Sequence, residues 1–128
     1  MSAAPSERDS AKRSAKNASL WFRVLLQGGA LGPGKVDLMR RIDETGSVSA
    51  AARGMRMSHA RSVKLVAEVN ALAVEPLIET RTGGEAGGGA RLTERGRALL
   101  SLYDALEADL AKAAARHLSA IARELADG

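Results

Sequence analysis

The sequence predicts a mainly α-helical domain with one small β hairpin and a long C-terminal helix. Three observations carry this. Apolar residues recur at helical spacing in 34–46 and 58–72, and again along 93–126. The apolar content is mostly Ala, Leu and Val, small aliphatics that suit closely packed helices better than a β-sandwich. The stretch "TRTGGEAGGGARLT" (80–93) sets a glycine cluster between two strand-like flanks.

At 128 residues the chain has room for one modest core, and its scarce aromatics are Trp21, Phe22 and Tyr103. No apolar run reaches the roughly 18 to 20 residues of a membrane span, so a soluble protein with no membrane partner is expected. The mixed-charge N-terminus is not a secretory signal. The absence of cysteine excludes disulfides and thiolate metal sites, and a cytoplasmic setting is expected. A net charge of +4 favours an anionic partner.

Residues 1–18 are Ser/Ala/Lys/Arg-rich without apolar periodicity and read as a disordered tail, leaving a domain over 19–126. "SLWFRVLLQ" (19–27) reads as a strand ended by Gly28-Gly29. Pro33 suits a helix start, and Val36, Met39 and Ile42 give 34–46 one apolar face up to the stop at Gly46. Ser47 is the expected N-cap of a short alanine-rich helix, and Ser58 that of the next, whose predicted apolar stripe is Val63, Val66, Val69 and Leu72. "EPLIETRT" (75–82) and "ARLT" (90–93) are the strands of the hairpin. From Thr93 the chain reads as helical to about residue 126.

Gly46 to Leu72 is the informative region. Two short helices are separated by "RGMRM", with Gly54 at the expected bend, and Ala50, Ala51 and Ala52 allow close approach of the second helix. These are the needs of a helix-turn-helix. Every charge from 47 to 65 is positive: Arg53, Arg56, Arg61 and Lys64. Arg53, Arg56 and Lys64 would anchor phosphates. Ser58, His59, Arg61 and Ser62 would face base edges in a major groove. Arg81 and Arg91 flank the glycines, where they could clamp backbone phosphates. The blander reading is a pair of core helices with a solvated basic face.

Three motifs in order, "TGSVSAAAR", the "V.E.N.L" helix end and "ETRTGG...GGGARLTERGRALL", resemble the N-terminal winged helix-turn-helix of ModE-type molybdate-responsive regulators, and more distantly LysR-type regulators. The resemblance covers roughly residues 19 to 115. It implies that Ser47 to Arg53 supports a recognition helix from Ser58 to Leu72, that Pro76 to Thr93 is the wing, and that the long helix with the first strand mediates dimerisation. Family members commonly carry Tyr, a basic residue and Trp where His59, Ala60 and Val63 stand, so the family's operator does not transfer. Full-length members also carry C-terminal β-barrel domains that bind molybdate. The sequence stops at Gly128, so direct molybdate binding is not expected.

The terminal stripe is longer than one core requires. With Trp21 it is the expected dimer seam, through Leu99, Tyr103, Leu106, Leu110, Leu118 and Ile121. The glycine cluster is no phosphate loop, since no Gly-Lys-Ser/Thr follows. No catalytic constellation is present, two distant histidines make no zinc site, and no cofactor is expected. The expected activity is that of a homodimeric transcriptional regulator on double-stranded, pseudo-palindromic DNA. A protein-interaction module and a weakly specific architectural DNA-binding protein are the alternatives.

Overall fold

The computed structural model describes residues 18–81 and 89–126. Elements follow in the order β1 (Val24–Leu26), β2 (Gly29–Leu31), α1 (Pro33–Thr45), α2 (Val48–Gly54), α3 (His59–Asn70), β3 (Ile78–Arg81), β4 (Gly89–Leu92) and α4 (Glu94–Ala126). The fold is mainly α with small two-stranded hairpins and a long last helix, compatible with a winged helix. The predicted tail, apart from Ala18, and the wing tip (82–88) lie outside the described residues.

The strand expected over 19–27 is corrected to a hairpin. Only Val24–Leu26 is strand, and it pairs antiparallel with Gly29–Leu31, beyond the glycine pair expected to end it. The glycine pair makes this turn possible. Gly29 has φ +146°, and a Cβ on Gly28 would lie 2.7 Å from the carbonyl oxygen of Ala71.

Helix α1 is the hub. Pro33 opens it and Gly46 ends it in the left-handed region at φ 71°, donating its N–H to the Ile42 carbonyl at 2.8 Å. Val36, Leu38, Met39 and Ile42 are all buried, more of the helix surface than a one-sided stripe would cover. The helix meets β2, α2, α3, β4 and α4. On α3 the buried face is Ser62, Val66 and Val69. Val63, expected in this stripe, is 51% exposed. Steps of three fall roughly 60° short of a full turn each, so a 63-66-69-72 pattern drifts around the helix.

One short backbone stretch, Pro76 to Ile78, is held from both sides. The Asn70 side chain accepts N–H bonds from Leu77 and Ile78, both at 2.9 Å, and donates to the Ile78 carbonyl at 3.1 Å. From the other side the Thr93 hydroxyl donates to the Pro76 carbonyl at 2.8 Å, and its oxygen caps α4 by accepting the Gly96 N–H at 3.0 Å. Gly96 is buried against this stretch, and a Cβ there would run into the Leu77 carbonyl. The strands β3 and β4 then pair in the register Ile78↔Leu92, Glu79↔Arg91, Thr80↔Ala90 and Arg81↔Gly89.

The start of α4 packs into the core through Leu99, Leu100 and Tyr103, whose ring stacks on Phe22 with centroids 5.1 Å apart. Leu99 and Tyr103 were expected at a dimer seam. The correction is that both serve the monomer core, and Tyr103 is only 4% exposed. Burial pushes the Tyr103 phenol above its ordinary pKa, with Glu107 and Asp104 adding to the rise and Arg40 opposing it. Further along, Leu106 and Ile121 remain exposed, as do Leu102 and Leu125. Leu110 and Leu118 line a shallow groove beside residues 18–22.

Three measurements test this packing. Asn70→Ala strands three backbone groups and should cost about 2 to 4 kcal/mol in urea unfolding. Gly96→Ala forces α4 off the strand and should cost about 1 to 3 kcal/mol. A loss well under 1 kcal/mol for either would show that the clasp is not needed. Tyr103 is the one tyrosine of the chain, so its phenolate absorbance should titrate above the usual value of about 10. Because the folded state holds that proton more tightly, this contribution to stability is complete below about pH 10 and fades as pH rises further. A midpoint at or below the usual value would contradict the burial.

Candidate nucleic-acid interface

Local capping sets the geometry of α2 and α3. The Ser47 hydroxyl accepts the Ala50 N–H at 3.0 Å, and the Ser58 hydroxyl accepts the Arg61 N–H at 3.1 Å. Both serines therefore act as N-caps, as their positions predict. The four residues between the helices form a Schellman ending: the Met57 N–H reaches the Ala52 carbonyl at 3.0 Å, and the Arg56 N–H reaches Arg53 at 3.2 Å. The left-handed residue this motif requires is Arg56, at φ 55°. The bend expected at Gly54 is thus displaced by two residues. Gly54 ends α2, and its missing side chain makes room for the Arg41 guanidinium of α1.

Around this turn Arg53, Arg56, Ser58, His59, Ala60, Arg61 and Lys64 are exposed. The His59 Nδ1 lies 3.5 Å from the Ser49 hydroxyl, at the outer limit of hydrogen bonding. Ser62, expected to face base edges, is corrected: it is fully buried, and its hydroxyl donates to the His59 carbonyl at 2.6 Å. A serine that satisfies itself on its own helix packs as a small core residue. Val63 takes the exposed position that sequence reading gave to Ser62, and the 3.6-residue period counted from Val66 and Val69 could have identified it.

The charges are partitioned. Lys35, Arg40, Arg41, Arg91, Arg95 and Arg97 each pair with an acidic side chain. Arg53, Arg56, Arg61 and Lys64 have no ion pair among the described residues, and neither have Arg81, Arg23 and the α4 residues Lys112, Arg116 and Arg123. No acidic residue occurs from 47 to 67. On the hairpin, Ile78, Ala90 and Leu92 face the core, while Glu79, Arg81 and Arg91 are exposed. The expected clamp of two free arginines is therefore corrected in part. Arg91 is engaged by Glu79 across the strands, Nε to Oε1 at 3.0 Å. Both side chains are more than half exposed, and such a pair contributes about 0 to 1 kcal/mol, little enough for phosphate to compete.

Among the described residues no group of three or more His, Cys, Asp or Glu could hold a metal, and no helix is long and apolar enough to cross a membrane. His117 is exposed on α4.

No protein-family model matches the chain. It is similar to the molybdenum-pterin-binding protein MopB of Rhodobacter capsulatus, 41% identical over 85 residues, 66% of this chain and 32% of that protein. It is 34% identical over 93 residues to the transcriptional regulator ModE of Haemophilus influenzae, 72% of this chain and 36% of the relative. To the DNA-binding transcriptional dual regulator ModE of Escherichia coli K12 it is 38% identical over 74 residues, 58% of this chain and 28% of the relative. The match thus spans about a third of the length of these relatives. These similarities support a ModE-type chain.

Position 62 tests the assignment of faces. Ser62→Ala should change stability by less than about 1 kcal/mol, because it removes only a bond within one helix. Ser62→Arg should unfold the domain or cost several kcal/mol, by burying an unpaired charge. Wild-type-like denaturation of the arginine variant would place position 62 on the surface.

Proposed function

We propose that this chain is a ModE-type, sequence-specific DNA-binding transcriptional regulator that docks through α2, α3 and the β3–β4 wing. The observation that carries the reading is local: Arg53, Arg56, Arg61 and Lys64 are exposed around the α2–α3 turn without ion pairs among the described residues, in a stretch from 47 to 67 that contains no acidic residue. Unpaired surface cations gathered on a helix-turn-helix suit a polyanion, since each phosphate contact releases condensed counterions. The names of the relatives, two of them transcriptional regulators, support the same reading.

In this mechanism α3 enters the major groove by its N-terminal half. Arg53, Arg56 and Lys64 neutralise phosphates, and Arg61 reads a base, most favourably a guanine edge taken in two hydrogen bonds. Ser58 and His59 lie beside it, and Val63 offers an apolar contact to a thymine methyl. Ser47 stays with its helix as a cap, and Ser62 drops out of the reading set. On the wing Arg81 meets the backbone directly, and Arg91 does so by exchanging Glu79 for phosphate.

A homodimer completes the reading. The exposed apolar residues Leu106 and Ile121, with Leu102 and Leu125, leave α4 with a face that a second copy would cover. Leu110, Leu118 and the half-buried Trp21 border it. Two-fold symmetry then calls for a pseudo-palindromic operator with half-sites about 34 to 36 Å apart, or a multiple of that.

Selection of bound duplexes from a random pool tests the function. An enriched, two-fold symmetric sequence is expected. Failure to enrich any sequence would favour a protein-interaction module or an architectural role. On the selected site Arg61→Ala should cost about 1 to 3 kcal/mol and relax preference at one base pair. Arg81→Ala should weaken all sequences alike and lower the salt slope by about 1. For the dimer, sedimentation of wild type against a Leu106→Glu, Ile121→Glu double variant should show a dimer converted to a folded monomer. A wild-type chain that sediments as a monomer at micromolar concentration removes the homodimer.

A further inference from the structure

Two helix ends in this molecule adopt the same left-handed backbone, and they are built from different residues. At the end of α1 the residue is Gly46, φ 71°; at the end of α2 it is Arg56, φ 55°. Arg56 is the one residue other than glycine with a positive φ among the described residues. In the left-handed region the Cβ of an L-residue crowds its neighbouring carbonyl oxygen, which is why glycine dominates this position of helix endings. The Schellman bonds around Arg56 require the conformation whatever residue stands there. Arg56 therefore carries conformational strain that a glycine or asparagine would relieve.

Nothing in the fold repays that strain. The Arg56 side chain is exposed and has neither an ion pair nor a hydrogen bond among the described residues. It projects from the four-residue turn between the two helices, beside the equally unpaired Arg53 and Arg61.

We propose that Arg56 is held in a strained backbone because its cation is needed at the turn. There it binds a backbone phosphate of duplex DNA, so that stability and DNA affinity oppose one another at this one residue. The inference rests on the DNA-binding reading and adds a property that reading does not contain: a site where improving the fold weakens the function.

Gly46 calibrates the strain within the same protein. A Cβ there would find its nearest neighbour, the Ala90 carbonyl oxygen, at 3.9 Å, so Gly46→Ala reports the conformational cost without a clash. Thermal unfolding of Gly46→Ala should show a lowered Tm. Arg56→Gly and Arg56→Asn should each raise Tm by about 2 to 5 °C, asparagine being included because it accepts this conformation without glycine's added chain entropy. The same two variants should bind non-specific duplex DNA several-fold more weakly at low salt, with a salt slope reduced by about 1. Arg56→Lys keeps the charge and the strain, and should retain wild-type Tm and most of the affinity.

A fall in Tm for both Arg56→Gly and Arg56→Asn would show that the arginine stabilises the fold, and would overturn the strain. Unchanged duplex affinity and salt slope in those variants, while Arg53→Ala and Lys64→Ala weaken binding, would overturn the role of Arg56 alone. Absence of any duplex binding by the wild-type chain would overturn the DNA-binding reading and this inference with it.

Discussion

The amide of Asn70 is the interaction on which the rest of the interface depends. One planar group accepts two successive backbone N–H bonds and donates to a carbonyl, joining the last residue of α3 to the first residues of β3. The geometry needs a short side chain with both an acceptor and a donor. Aspartate would accept but not donate, and leucine of similar size would leave three polar groups without partners. Thr93 meets the same backbone from α4, and Gly96 lets the first turn of α4 lie directly against it. Helix α3, the hairpin and the start of α4 are thereby fixed to one another through three residues of main chain.

Helix α1 supplies the packing behind this clasp and also organises the charges. Because its apolar residues are buried against several elements at once, its charged residues are pushed to its margins. Arg40 meets Asp104 and Glu107 of α4, Asp43 meets Arg97, and Lys35 meets Glu68 of α3. Each exposed pair contributes little to stability. Their collective consequence is electrostatic: the acids that pair with α1 lie outside residues 47 to 67, and Arg53, Arg56, Arg61 and Lys64 pair with none of them.

Features governed by a few neighbouring residues were legible in the sequence. Pro33, Gly46, Ser47, Ser58 and Thr93 mark helix ends where the structure has them, and the extent of α4 follows from its periodicity. What could not be read depended on residues distant in sequence or on competition between two local rules. Gly28 and Gly29 make a hairpin because the Ala71 carbonyl leaves no room for a Cβ at 28 and the backbone at 29 takes a positive φ. Gly54 drew the bend by its propensity, yet it ends α2 beside the Arg41 guanidinium, and the left-handed residue fell to Arg56. Ser62 looked polar and is core, since one hydrogen bond to its own helix removes the penalty for burial. Asn70 gave no signal of its three partners, because nothing local distinguishes it from an exposed helix-end asparagine.

The long helix shows how recognition geometry would be set at a distance. At 33 residues α4 runs roughly 50 Å: its start packs on the core through Leu99, Leu100 and Tyr103, and farther along Leu110 and Leu118 line the groove beside residues 18–22 and Ala122 is buried. Along the same helix Leu102, Leu106, Ile121 and Leu125 stay exposed. On the dimer reading these residues determine where the second copy sits. The clasp of Asn70 and Thr93 then carries the placement through the hairpin to α3. On that reading the separation of two recognition helices is a property of α4 and of the hydrogen-bonded stretch Pro76 to Ile78 at the base of the wing. Changes on the exposed face of α3 can alter which bases are read while leaving the half-site spacing untouched, because α3 meets the clasp through Asn70, on its opposite, core-facing side.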